Sequence, residues 1–259
     1  MRLAALILVS VSLLHLTGCG EDATIYATDA RKANGLVVIL PGIEGESEYN
    51  HDIRRGLMAG GVEYALVIRS WGVPVPVAGM IVNQTNFLGN RLAATGVAQM
   101  IAQYQDRYPG RPVYVVGHSG GGGVAVFTAE ALADMTGDRK IEGLVLLSAS
   151  ISNNYPNTSK ALAQCRQGLV NFYNPEDTAL LGLGTTIAGN VDGGRAPSAG
   201  RAGFEITHPK LYDQAVSGSM SGDDPHGSTT RVPFVSRRVV PWIKATQWPP
   251  GLTAGRHDR

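Results

Sequence analysis

Cysteine is almost absent from these 259 residues: Cys19 and Cys165 are the only two. A multi-bridge disulfide framework is therefore excluded, and a chain of this length has to draw its stability from an apolar core. Charge is scarce too. Charged residues make up 17% of the chain and the net charge is +1. That balance offers nothing to a nucleic acid or to a strongly acidic partner. No internal repeat and no low-complexity segment interrupts the sequence, so one domain is the expected count. Glycine, by contrast, is plentiful at 33 residues.

The amino terminus is unlike the rest. Met1-Arg2 is a minimal basic start, and Leu3 to Leu14 is an apolar stretch of signal-peptide length, too short for a stable membrane span. It ends in Leu16-Thr17-Gly18-Cys19, which resembles a bacterial lipobox. The resemblance implies cleavage before Cys19, lipid on its thiol, and durable residence on a bacterial membrane, facing the periplasm or the cell surface. Residues 1–18 are then a signal peptide, 19–245 the folded domain, and 246–259 a loose polar tail. With Cys19 lipidated, Cys165 has no partner for an intramolecular disulfide. A first strand expected at Thr24 to Thr28 leaves a tether of only about 15–20 Å.

Strand and helix patterns alternate after that. Asn34-Gly35 is a turn signal, and Leu36 to Leu40 is a continuous apolar run typical of a central parallel strand. A helix is expected from Tyr49 to Ala59 and a strand from Tyr64 to Ile68. Ala93, Val97, Ile101, Tyr104 and Tyr108 mark one face of a further helix. Strands follow at Val113 to Gly117, Ile141 to Leu147, Gly168 to Tyr173 and Phe204 to Thr207, and a closing helix at Arg231 to Ile243, made irregular by Pro241. Such alternation implies a mostly parallel sheet with helices on both faces. The insertion from Asn153 to Gln167 leaves room for a small cap only.

Gly117-His118-Ser119-Gly120-Gly121 joins the third of these strands to a small-residue helix. It fits a G-x-S-x-G nucleophile elbow, in which a sharp strand-to-helix turn presents the serine hydroxyl and crowds the positions two before and two after. Dinucleotide readings of the same glycines lack support. The next strand ends in Ser148-Ala149-Ser150 with no carboxylate for a ribose, and no Tyr-x-x-x-Lys pair exists. A phosphate-binding Walker loop is excluded, because no Lys-Ser or Lys-Thr follows the glycines.

A serine hydroxyl needs a base. His15 falls in the signal segment and His257 in the tail; His118 should point away from the hydroxyl, and His51 precedes the elbow in the wrong chain order. His208 and His226 remain. His226, in a loop just before the closing helix, is favoured. For the carboxylate that orients it, Asp177 follows a strand at the right edge; Asp192 is a weaker alternative, and Asp223 and Asp224 read as loop solvation. The oxyanion donors expected are the amides of Gly120 and of Ile43, after Pro41-Gly42. Glu44 beside them reads as an exposed loop acid.

From Leu36 to Ile243 the chain resembles the α/β-hydrolase superfamily, in the order Ser119, Asp177, His226. The resemblance implies the α/β-hydrolase fold and acyl-enzyme chemistry without a cofactor or metal: Ser119 attacks, His226 shuttles the proton, and Asp177 orients His226. The expected activity is ester hydrolysis on a small-molecule or lipid-like substrate, at a membrane reached through Cys19. Two alternatives stand beside it: a non-catalytic binding lipoprotein on the same scaffold, and an amidase or acyltransferase with the same residues.

Overall fold

The computed structural model describes residues 25–73, 78–178, 189–216 and 224–250. The signal segment, Cys19 and residues 251–259 lie outside them, as does Asp223.

The apolar runs become strands β1 (Leu36–Leu40), β2 (Ala65–Ile68), β3 (Val113–His118), β4 (Ile141–Leu147), β5 (Cys165–Tyr173) and β6 (Leu211–Ala215). They form one sheet in the order β2-β1-β3-β4-β5-β6, with every neighbouring pair parallel. All strands therefore end on the same edge, where the connecting loops gather. The helices are α1 (Asp29–Asn34), α2 (Glu48–Ala59), α3 (Ala78–Thr85), α4 (Phe87–Arg107), α5 (Gly120–Ala133), α6 (Thr158–Ala163) and α7 (Ala199–Ala202). A closing helical run follows His226: a 3₁₀ turn at Ser228–Thr230, α8 (Val232–Phe234), a π-type stretch at Val235–Val239, and α9 (Val240–Lys244). Pro241, which has no N–H to donate, stands in the first turn of α9 and accounts for the irregularity just before it.

Side-chain alternation sorts the strands into two cores. Val38, Leu40, Val115, Leu144 and Leu146 face α4 and α5, meeting Val97, Ile101, Val124 and Phe127. Val37, Ile39, Val116, Val145 and Leu147 face α2 and the closing run, meeting Ile53, Leu57, Val235 and Trp242. Strands covered on both faces have no polar side, which is why they read as unbroken apolar runs.

Three expectations change. Residues 25–28 form no strand: Thr28 Oγ1 instead accepts from Arg31 N at 3.2 Å and caps α1, while Tyr26 O accepts from Leu66 N at 2.8 Å. Residues 204–207 are likewise outside any strand. The last strand is Leu211–Ala215, an edge strand half-exposed along most of its length and so without an apolar signature. The segment after Ala245 is not loose throughout, since Trp248 is buried and its Nε1 donates to Trp242 O at 2.6 Å. Among the described residues, no helix is long and apolar enough to cross a membrane.

Candidate active site

Ser119 follows β3 directly and precedes the first residue of α5. Its backbone has φ 52° and ψ −124°, a region an L-residue enters at a cost of about 1–3 kcal/mol. Three hydrogen bonds hold it there. Its N–H donates to Leu147 O (3.0 Å), and its carbonyl accepts from Gly122 N (3.0 Å) and Ser150 N (2.8 Å).

The four glycines after Ser119 are close-packing positions. A Cβ on Gly121 would lie 2.2 Å from Pro41 O, and one on Gly117 2.4 Å from Gly121 O. A Cβ on Gly120 would meet Ile43 Cγ2 at 2.7 Å, on Gly122 the Ala149 Cβ at 2.5 Å, and on Gly123 the Val191 Cγ2 at 2.3 Å. The elbow is thus pressed against the loop after β1 on one side and the segment after β4 on the other.

That β1 loop carries Ile43. Trp71 Nε1 donates to Pro41 O at 2.7 Å and Asn83 Nδ2 to Ile43 O at 2.9 Å, which fixes the loop from outside. Among the described residues, neither the Ile43 nor the Gly120 amide donates to another group of the chain. Gly120 also opens a helix of 14 residues, whose N-terminal end favours negative charge.

His226 Nδ1 lies 2.7 Å from Asp177 Oδ2. A carboxylate only accepts, so this contact puts the proton on Nδ1 and leaves Nε2 as the acceptor. Asp177 sits in the loop after β5. The turn carrying His226 is pinned at several points: Asn174 Nδ2 and Ser228 Oγ both donate to Pro225 O, Gly227 N donates to Asp224 Oδ1, and Thr229 Oγ1 pairs with Ser148 Oγ. The Ser119 hydroxyl and Nε2 of His226 are not hydrogen-bonded to each other in this structure.

Burial opposes the charged form of His226. The hydrogen bond and charge of Asp177, joined by the charges of Glu44 and Asp224, outweigh it and raise the ring above its ordinary value of 6.5. His118 is the reverse case: complete burial, with His226 alongside, keeps it well below 6.5 and neutral.

Sequence reasoning missed several residues here. Glu44 is half-buried, not exposed; its carboxylate folds against Gly42, takes a hydrogen bond from Ser47 Oγ at 3.2 Å, and is raised by burial above the usual carboxylate range. Asp224 is a structural clamp rather than loop solvation, accepting from Tyr49 Oη at 3.1 Å as well as from Gly227 N. The other candidates sit elsewhere. His208 precedes the start of β6 and so lies at the sheet edge opposite Ser119, where Nδ1 accepts from Lys210 N. His51 is engaged with Arg54 and Glu46, and Asp192 accepts from Ser152 N.

A parallel sheet in this order, with a strained serine between β3 and α5, is distinctive. The fold is that of the α/β-hydrolases. No family model and no curated protein matches the chain. Solved structures similar to it include the RedJ thioesterase from the prodiginine biosynthetic pathway of Streptomyces coelicolor (12% identity, TM-score 0.44, covering 88% of this chain and 98% of that one). MenH from S. aureus is similar at 11% identity and TM-score 0.44, over 82% and 94% of the two chains. TT1662 from Thermus thermophilus is similar at 16% identity and TM-score 0.46, over 82% and 90%.

Proposed function

We propose that this chain is a serine hydrolase that cleaves a carboxylic ester through an acyl-enzyme, held at a bacterial membrane by lipid on Cys19. The observation that carries the reading is the 2.7 Å contact between His226 Nδ1 and Asp177 Oδ2, on the sheet edge where Ser119 stands with φ 52°. Ser119 Oγ attacks the ester carbonyl while Nε2 of His226 takes its proton. The Ile43 and Gly120 amides receive the oxyanion of the tetrahedral intermediate, assisted by the N-terminal end of α5. His226 then protonates the departing alkoxide oxygen. Water attacks the acyl-enzyme, His226 takes a proton from it, and the acid leaves as Ser119 recovers its hydrogen. Asp177 keeps the ring in the required tautomer and stabilises the imidazolium in both halves.

A fluorophosphonate probe tests this. Ser119 in the wild type becomes covalently labelled, and Ser119→Ala is not labelled. A folded wild-type protein that stays unlabelled and hydrolyses no p-nitrophenyl ester, short or long, overturns the reading. Mass spectrometry of the N-terminal peptide from membrane-derived protein reads the lipid on Cys19 separately.

A further inference from the structure

Helix α3 and the start of α4 are built with their polarity reversed. Asn83, Gln84 and Asn90 are buried. Asn83 bonds Ile43 O, Gln84 Nε2 donates to Gly189 O at 2.6 Å and to Ser150 Oγ at 3.2 Å, and Asn90 Nδ2 donates to Asn83 O at 2.8 Å. Five large apolar side chains of the same stretch face outward, while Met80 packs against the core. Leu92 is 75% exposed, Leu88 70% and Ile81 61%, with Phe87 and Val82 also exposed. The two helices are joined through Asn86 alone, so these five side chains fall within two turns of one joint. A helix in water hides such residues and shows its amides; this one does the opposite.

The charge pattern suits a membrane surface. From Tyr64 to Gln105 the sequence has no Asp or Glu, and its only charged residues are Arg69 and Arg91. No carboxylate of this stretch therefore repels an anionic lipid headgroup. The sequence preceding Ile25 holds the apolar Leu3 to Leu14 and then Cys19, only six positions before Ile25, so an anchor there allows the domain a reach of about 20 Å. The polar face of the same hairpin holds the Ile43 loop through Asn83, so the elements that carry the surface also hold the candidate oxyanion loop.

We propose that α3 and the first two turns of α4 seat in the interface of a lipid bilayer, with Ile81, Val82, Phe87, Leu88 and Leu92 inserted among the headgroups and upper acyl chains. The substrate is then an ester that reaches Ser119 from the membrane side. The location rests on the Cys19 reading and the substrate on the hydrolase reading, but insertion is measurable without either.

The test uses full-length protein purified from membranes and reconstituted into phosphatidylcholine vesicles with and without phosphatidylglycerol. Single Leu88→Cys, Leu92→Cys and Arg55→Cys variants carry an environment-sensitive fluorophore; Arg55 lies on α2, and Cys165 is buried with its thiol pushed up to about 12. The expected result is a blue shift and quenching by spin-labelled lipid at positions 88 and 92, and neither at 55. Equal behaviour at all three positions overturns the proposal. So does protection of 88 and 92 in detergent-free solution by pairing of two copies, read by light scattering. A Leu88→Asp/Leu92→Asp double variant is expected to keep its rate on soluble p-nitrophenyl acetate. On a vesicle-borne long-chain ester it should lose about tenfold. An equal fall on both substrates counts against interfacial seating. Loss of soluble-ester activity in the wild type would sink the hydrolase reading alone, since the fluorescence does not depend on turnover.

Discussion

The rings of His118 and His226 lie 4.9 Å apart at a 50° tilt, with His118 Nε2 facing the His226 carbonyl at 3.4 Å. The Tyr49 ring also packs on His118, 5.1 Å away. The residue before Ser119 thus supports the residue proposed to activate it. His118 is neutral in the folded chain because burial holds it below 6.5, while the unfolded chain takes up a proton at about that pH. Its contribution to stability is therefore lost as the pH falls below about 6.5. His118→Gln is expected to lose less stability than wild type between about pH 7 and 5, measured by urea unfolding at each pH. Parallel losses would mean that His118 takes up its proton as readily in the folded chain as in the unfolded one.

Removing the carboxylate that meets His226 Nδ1 should be severe for turnover and mild for the fold. Asp177→Asn is expected to lower kcat for a soluble ester by about 10³–10⁴-fold, the scale for loss of the correct tautomer. Glu176→Gln, one position earlier and exposed, is the control and should change little.

The acid limb of the pH–rate profile should have its midpoint above 6.5, because the raised His226 must lose its proton before it can act as base. Asp177, Glu44 and Asp224 are the carboxylates that favour its charged form, and His118 opposite it is neutral. Glu44→Gln removes one of those charges, so the midpoint should move to lower pH. An unmoved midpoint would show that Glu44 exerts no field on the ring.

Crowding at Gly117 and Gly121 is backbone against backbone and cannot be relieved by a rotamer change. Gly121→Ala is expected to cost about 3 kcal/mol or more, or to prevent folding. Gly96→Ala, inside α4 with nothing near its added Cβ, should instead stabilise by about 1 kcal/mol. Thermal and urea unfolding of the two variants check both signs.

Away from the site, Glu130 is buried and held by Tyr155 Oη at 2.7 Å and Asn157 Nδ2 at 3.0 Å, with Arg91 reaching both Glu130 and Tyr155. Tyr155→Phe deletes a hydrogen bond to a charged group and should cost about 1.5–3 kcal/mol, seen as a lower urea midpoint with an unchanged slope.

What the sequence alone determined is local. Five strands were legible because a doubly covered strand is apolar at every position, as in Leu36 to Leu40. The elbow was legible because Gly117 and Gly121 admit no Cβ. Asp177 was read as a candidate from the loop after a strand, and His226 from the loop before the closing helix. Only the tertiary structure decided the rest. β6 is an edge strand whose Tyr212, Asp213 and Gln214 carry no burial pattern, so its pairing with β5 has no trace in periodicity. Thr28 reads as strand but caps a helix, because one hydrogen bond to Arg31 decides between two local preferences. Glu44 and Asp224 read as solvated loop acids, yet the fold packs one against Gly42 and clamps the other between Tyr49 and Gly227. The outward face of α3 and α4 was hidden for the same reason. Helical spacing tells which residues share a side, but only packing against the Ile43 loop decides that the amides turn in and the leucines turn out.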